Sequence, residues 1–108
     1  MIIDLLYFEG CPSYKNALAI LETVIASGSF AVTVELTEVR SDIEAEKWRF
    51  LGSPSFQIEG KDLWPEDRTN YSMSCRIYRT AQGLKGWPTA EMLRHKIFTL
   101  LDRKDLEK

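Results

Sequence analysis

The chain has 108 residues, an apolar fraction of 44%, a charged fraction of 28% and a formal net charge of −2. These values are typical of a single globular domain, residues 1–108, that buries a core without disulfide bonds. The basic residues form no block, so no nucleic-acid partner is expected. Two cysteines are too few for a disulfide scaffold or for the ligands of a tetrahedral zinc site, and no metal or cofactor is predicted.

The first eight residues are apolar but lack the features of a signal peptide. No basic residue precedes them, and Asp4 interrupts them. No stretch of the sequence is long enough to span a bilayer. We therefore expect a cytoplasmic protein without a membrane partner, and the sequence does not indicate its oligomeric state.

The N-terminal third of the chain predicts a strand, a helix and a second strand. Residues 2 to 8 form an almost continuous apolar run, which is typical of a central strand covered on both faces. Residues 12 to 27 carry apolar side chains at helical spacing. Residues 31 to 36 are rich in β-branched residues, as strands are. Two strands joined by a helix should be parallel.

A capping box marks the second helix. Ser41 is followed three residues later by Glu44, a spacing that lets each residue bond a free backbone N–H at the helix start. The helix should extend to about residue 50, with Ile43 and Trp48 as its core contacts.

The C-terminal half predicts two more strands and a last helix. Residues 56 to 58 read as a strand, residues 62 to 74 as a long polar loop, and residues 75 to 78 as a strand that closes a hairpin around that loop. A helix follows Thr89. The order strand-helix-strand-helix-strand-strand-helix predicts an α/β domain with a mixed four-stranded sheet and three helices.

Cys11 is predicted to lie where the first strand passes into the first helix. Backbone N–H groups at a helix start lack partners and the dipole end is positive, so both favour a thiolate. Pro12 suits the first helical position, where no N–H is needed. The alternative is a small apolar residue buried in a tight turn. We favour the reactive interpretation because a proline and a helix start coincide with the cysteine.

Two short motifs give the chain a resemblance to the thioredoxin-like superfamily, which extends over about residues 2 to 101. The first motif is Gly10-Cys11-Pro12, at the place where the family carries its nucleophilic cysteine. The resemblance implies thiol–disulfide exchange or mixed-disulfide formation at Cys11, with a small thiol or a protein disulfide as the partner.

The second motif is Gly52-Ser53-Pro54-Ser55, which resembles the cis-proline loop of the family. In that family the residue before the proline offers backbone groups to an extended thiol substrate. The resemblance implies that the Ser53-Pro54 peptide is cis and lies beside Cys11, and that Ser53 and Pro54 bind substrate. An X-Pro bond adopts the cis form at low cost, so the proposal is physically admissible.

The chain departs from the family where a second cysteine usually stands, three residues after the first. Tyr14 occupies that position, and Ser13 cannot act as a resolving thiol. Cys11 then works alone, as a monothiol oxidoreductase whose substrate lies against Pro12, Ser13 and Tyr14, or it is resolved by the distant Cys75. A third interpretation is a non-catalytic binding module.

Cys75 is predicted to lie where the long loop rejoins the sheet, and a buried strand cysteine is an equal alternative to a redox role. Cys11 should alkylate faster than Cys75, because one is expected at a helix start and the other in a strand. The stretch around Cys75 also resembles slightly the segment that bears a catalytic cysteine in organomercurial lyases. This resemblance implies, as a minor alternative, the handling of mercury or another soft metal through both thiolates.

Overall fold

The computed structural model describes residues 1–28 and 30–106, with side chains as far as residue 100. This part of the chain is α/β, with three helices, a mixed four-stranded sheet and a separate hairpin. The elements, in chain order, are β1 (Ile2–Tyr7), α1 (Tyr14–Gly28), β2 (Thr33–Glu38), α2 (Asp42–Trp48), β3 (Ser55–Ile58), β4 (Lys61–Asp62), β5 (Tyr78–Thr80), β6 (Gly83–Lys85) and α3 (Ala90–Leu106).

The four-stranded sheet has the order β2-β1-β3-β4. β1 runs parallel to β2, as predicted, and antiparallel to β3. Ile3 and Leu5 of β1 are fully buried in the cluster that includes side chains of α1 and α3, whereas Leu6 belongs to the cluster beside α2. Cover on both faces explains why β1 is apolar along almost its whole length.

The prediction that residues 75 to 78 provide the fourth strand is wrong. β4 follows β3 directly, after a tight turn in which Glu59 has a φ of 53° and Gly60 a φ of 78°. Two consecutive positive φ values are what a two-residue type I′ hairpin turn requires. β5 pairs instead with β6, in the separate hairpin.

The predicted start of α1 is also wrong. The helix begins at Tyr14, because the first i to i+4 bond runs from the Ala17 N–H to the Ser13 carbonyl at 3.1 Å. Ser13 is therefore the cap residue, and Pro12 lies ahead of the helix rather than at its first position.

The capping box of α2 is confirmed, since the Ser41 hydroxyl accepts a hydrogen bond from the Glu44 N–H at 3.1 Å. The prediction of Ile43 as a core contact is wrong, because its side chain is 83% exposed. Ala45 is the buried position of this short helix, and a residue two places earlier lies on the opposite face. Trp48 packs at the edge of the core.

Asp4 is the polar residue within β1, and it lies directly opposite Glu35 of β2. Burial, and then the charge of Glu35, raise the pKa of the Asp4 carboxyl above its ordinary value. The native state therefore favours the protonated carboxyl more than the unfolded state does. The stability contributed by the protonated Asp4 carboxyl is complete in acid, below the ordinary pKa of this group. It is lost as the pH rises through the raised pKa of the native state.

Asp4→Asn should increase the free energy of unfolding at pH 7, by a few tenths of a kcal/mol up to about 1 kcal/mol, because it removes one of two opposed like charges. The gain should disappear at about pH 3, where the carboxyl of the parent protein is protonated. Urea denaturation at both pH values measures the difference, with the exposed Asp67→Asn as control. An equal gain at both pH values, or in the control, would contradict this account.

Candidate thiol site

Cys11 lies in a tight turn between β1 and α1. Its N–H donates to the Phe8 carbonyl at 3.1 Å, and Gly10 has a φ of 98°, the positive value that the third residue of a type II turn needs. Only 5% of the Cys11 surface is exposed. Cys11 precedes the cap residue Ser13 by two positions, so it lies outside the first turn of the helix, to which the dipole effect is largely confined.

The thiol of Cys11 donates a hydrogen bond to the Ser53 carbonyl oxygen at 3.6 Å. The Ser53-Pro54 peptide is cis. Both parts of the prediction for this loop, the cis peptide and its place beside Cys11, are therefore confirmed. A carbonyl oxygen is only an acceptor, so this contact is one that the thiol makes and the thiolate does not.

Ser53 is 1% exposed, and its N–H, its carbonyl and its hydroxyl oxygen all take part in hydrogen bonds within the chain. Its N–H donates to the Ser74 carbonyl at 2.8 Å, and its hydroxyl oxygen accepts from the Phe8 N–H at 3.3 Å. Its carbonyl accepts from the Arg76 N–H at 3.0 Å as well as from Cys11. The backbone groups of Ser53 that the resemblance assigns to substrate binding are thus hydrogen-bonded within the chain.

We refer to residues 73 to 76 as the strap. Cys75 lies in the strap, directly opposite Ser53 in an isolated parallel bridge, and it is exposed. The interpretation of Cys75 as a buried strand cysteine is therefore wrong, since the strand begins only at Tyr78. Both cysteines adjoin Ser53, Cys11 through its thiol and Cys75 through backbone pairing, and both are free thiols.

Arg76 anchors the strap, and the sequence did not predict this role. Its side chain is 3% exposed. The guanidinium donates to the Asp62 carboxylate at 2.8 Å, to the Ser55 hydroxyl at 3.1 Å and to the Trp64 carbonyl at 2.6 Å. It also lies over the Tyr78 ring, 4.8 Å from the centroid. Burial raises the pKa of Asp62, and the hydrogen bond and charge of Arg76 act in the opposite direction.

Two further residues hold the proline loop in place, Tyr78 by a hydrogen bond and Gly52 by a close approach to the strap. The Tyr78 hydroxyl donates to the Pro54 carbonyl at 2.6 Å, and burial raises the pKa of Tyr78, which keeps it in the donating phenol form. Gly52 has a φ of 118°, and a Cβ there would lie 2.9 Å from the Cβ of Arg76. Only glycine allows so close an approach. The signals available in the sequence were an arginine between a cysteine and an isoleucine, and a glycine directly before Ser-Pro.

The remaining predicted site residues surround the turn. Pro12 is exposed. Ser13 packs against Gly86, where an added Cβ would collide with the Ser13 hydroxyl. Tyr14, in the place of a second cysteine, stacks on Tyr7 with ring centroids 4.2 Å apart and planes inclined by 20°. The position that a resolving thiol occupies in the family is here part of an aromatic pair.

Comparison of the chain with models of protein families, with curated proteins and with solved structures finds no match. In the described ranges no helix is long and apolar enough to cross a membrane. The same residues contain no group of three or more His, Cys, Asp or Glu side chains arranged to hold a metal ion. The structure establishes the α/β architecture, and membership of the thioredoxin-like superfamily stays a prediction.

Arg76→Met should lower the free energy of unfolding by about 3–5 kcal/mol, because it leaves the Asp62 carboxylate, 6% exposed, without its counter-charge. Adding Asp62→Asn should recover part of that loss, since the unpaired charge is then gone. Urea denaturation measures both effects.

The matched control is Arg40→Met, which removes an exposed ion pair to Glu38 at 3.5 Å. Exposed pairs contribute about 0–1 kcal/mol. If Arg76→Met lowered the free energy of unfolding by no more than Arg40→Met does, the strap would not depend on the buried ion pair.

Proposed function

We propose that this protein forms mixed disulfides through Cys11 with small thiol compounds, as a monothiol oxidoreductase. The observation that carries the proposal is the hydrogen bond of 3.6 Å between the Cys11 thiol and the carbonyl of Ser53, the residue before Pro54. It joins the two motifs on which the resemblance rests. Tyr14 stacks on Tyr7, which supports a mechanism without a resolving thiol in the same turn.

The proposed step is an exchange at sulfur. Cys11 leaves the Ser53 carbonyl, loses its proton to water, and attacks one sulfur of a small disulfide. A new sulfur–sulfur bond forms at Cys11, and the other half of the disulfide leaves as a thiolate. A second small thiol later displaces the adduct by the same chemistry. Weak or absent reduction of protein disulfides such as insulin is expected, because no second cysteine stands in the turn.

The exposure of the two cysteines reverses one expectation. The sequence predicts faster alkylation of Cys11 than of Cys75, yet Cys11 is buried and Cys75 is exposed. In the folded protein we now expect Cys75 to react first with a small reagent, because access limits the rate at a buried thiol. Cys75 as the resolving thiol, and soft-metal binding by both thiolates, stay predictions. Both cysteines adjoin Ser53, but Cys75 does so through its backbone, and its side chain is exposed.

The second candidate function is a non-catalytic binding module. It is favoured by the burial of Cys11 and by the bonding of Ser53 to residues of the same chain. In this case the Cys11 thiol is a structural donor, and ligands would bind elsewhere on the surface.

Oxidised glutathione should add one glutathione to Cys11 in the Cys75→Ser protein, and reduced glutathione should remove it. Mass spectrometry of the folded protein counts the adducts, and the Cys11→Ser, Cys75→Ser protein, which should gain none, is the control. Absence of an adduct on folded Cys75→Ser would favour the binding module. A Cys11–Cys75 disulfide in the parent protein would identify Cys75 as the resolving thiol.

A further inference from the structure

The strap occupies the backbone groups of Ser53 that the resemblance to the thioredoxin-like superfamily assigns to an extended substrate. Ser53 donates its N–H to the Ser74 carbonyl at 2.8 Å, and its carbonyl accepts from the Arg76 N–H at 3.0 Å. Strand addition depends on such main-chain bonds. A peptide substrate must therefore displace the strap before it pairs with Ser53. A small disulfide needs no main-chain partner and only has to reach the sulfur of Cys11.

The two ends of the strap are held with unequal strength. At the C-terminal end the buried guanidinium of Arg76 has several partners. At the N-terminal end the Met73 N–H donates to the exposed carboxylate of Asp42 at 3.0 Å. Met73 and Cys75 are themselves exposed. An opening at Met73 would therefore break the fewest bonds, and it would free the N–H of Ser53 while the side chain of Arg76 keeps its partners.

We infer that the strap selects the substrates of Cys11 by size and shape, admitting small disulfides and competing with extended peptides for Ser53. This inference rests on the proposed function, and it assigns the preference for small disulfides over extended peptides to the strap. The contact between Met73 and Asp42 sets how often the strap opens, and hence how readily a peptide reaches the site.

The test uses alkylation, which reports access to Cys11 whether or not the protein exchanges disulfides. In the Cys75→Ser background, Cys11 is treated with iodoacetamide or with an iodoacetylated tetrapeptide of alanine and serine. Each reaction forms a carbon–sulfur bond and releases iodide. Asp42→Ala removes the acceptor of Met73, Asp42→Asn keeps an oxygen acceptor, and Glu46→Ala is an exposed control on the same helix.

Asp42→Ala should raise the rate at which the peptide reagent alkylates Cys11 about threefold to tenfold, because the loss of one hydrogen bond shifts the opening equilibrium of the strap by about that factor. The rate of alkylation by iodoacetamide should change by less than about twofold. Amide exchange at Ser53 should accelerate by a similar factor, because its partner Ser74 lies in the strap. Asp42→Asn and Glu46→Ala should leave the ratio of the two rates near that of the parent.

An equal rise with both reagents would overturn the inference, because the strap would then cover Cys11 without selecting among reagents. An unchanged ratio, unchanged exchange at Ser53, or no alkylation of Cys11 in Asp42→Ala would overturn it as well. Failure of the proposed function has a separate signature, which is the absence of a glutathione adduct in a protein whose alkylation ratio responds to Asp42→Ala as expected.

Discussion

The guanidinium of Arg76 is a buried charge, and the arrangement of the candidate site depends on how the chain compensates it. Removing such an ion from water costs several kcal/mol unless it is paired and hydrogen-bonded. The partners come from β4, from the segment after β4 and from β3, through Asp62, Trp64 and Ser55. With its side chain held there, the Arg76 N–H shares the carbonyl of Ser53 with the candidate thiol. The buried charge of Arg76 thus sets the position of the strap at the surface.

Local signals in the sequence were enough for much of the architecture. β1 was predicted because a strand covered on both faces is apolar throughout, and the start of α2 because a capping box acts over four residues. β4 was not predicted, because it has two residues and follows a turn through Glu59 and Gly60. Glutamate rarely adopts a positive φ, so the turn lacks the Asn-Gly or Asp-Gly pair that marks most such hairpins.

The candidate site was predicted only in part. The sequence did not show which side chains of the strand-like segment from residue 75 to residue 78 point into the core. From Cys75 to Tyr78 the side chains alternate outward and inward, with Arg76 and Tyr78 buried and Ile77 exposed. Hydrophobicity assigns an arginine to the outside, whereas this one is stabilised inside by a carboxylate distant in sequence. Pairing between distant residues has no local signature, so the link between the strap and Ser53 could not be read from spacing.

The close approach of Gly52 to Arg76 has a consequence for recognising relatives of this chain. A side chain at position 52 would push the proline loop away from the strap, and a residue other than arginine at position 76 would leave the carboxylate of β4 uncompensated. Homologues that preserve this closed arrangement should therefore carry a glycine directly before Ser-Pro and an arginine in the strap. Chains that lack the glycine should differ in the contact between the proline loop and the strap whatever residue stands at position 76, because the close approach is to the main chain and the Cβ of that residue.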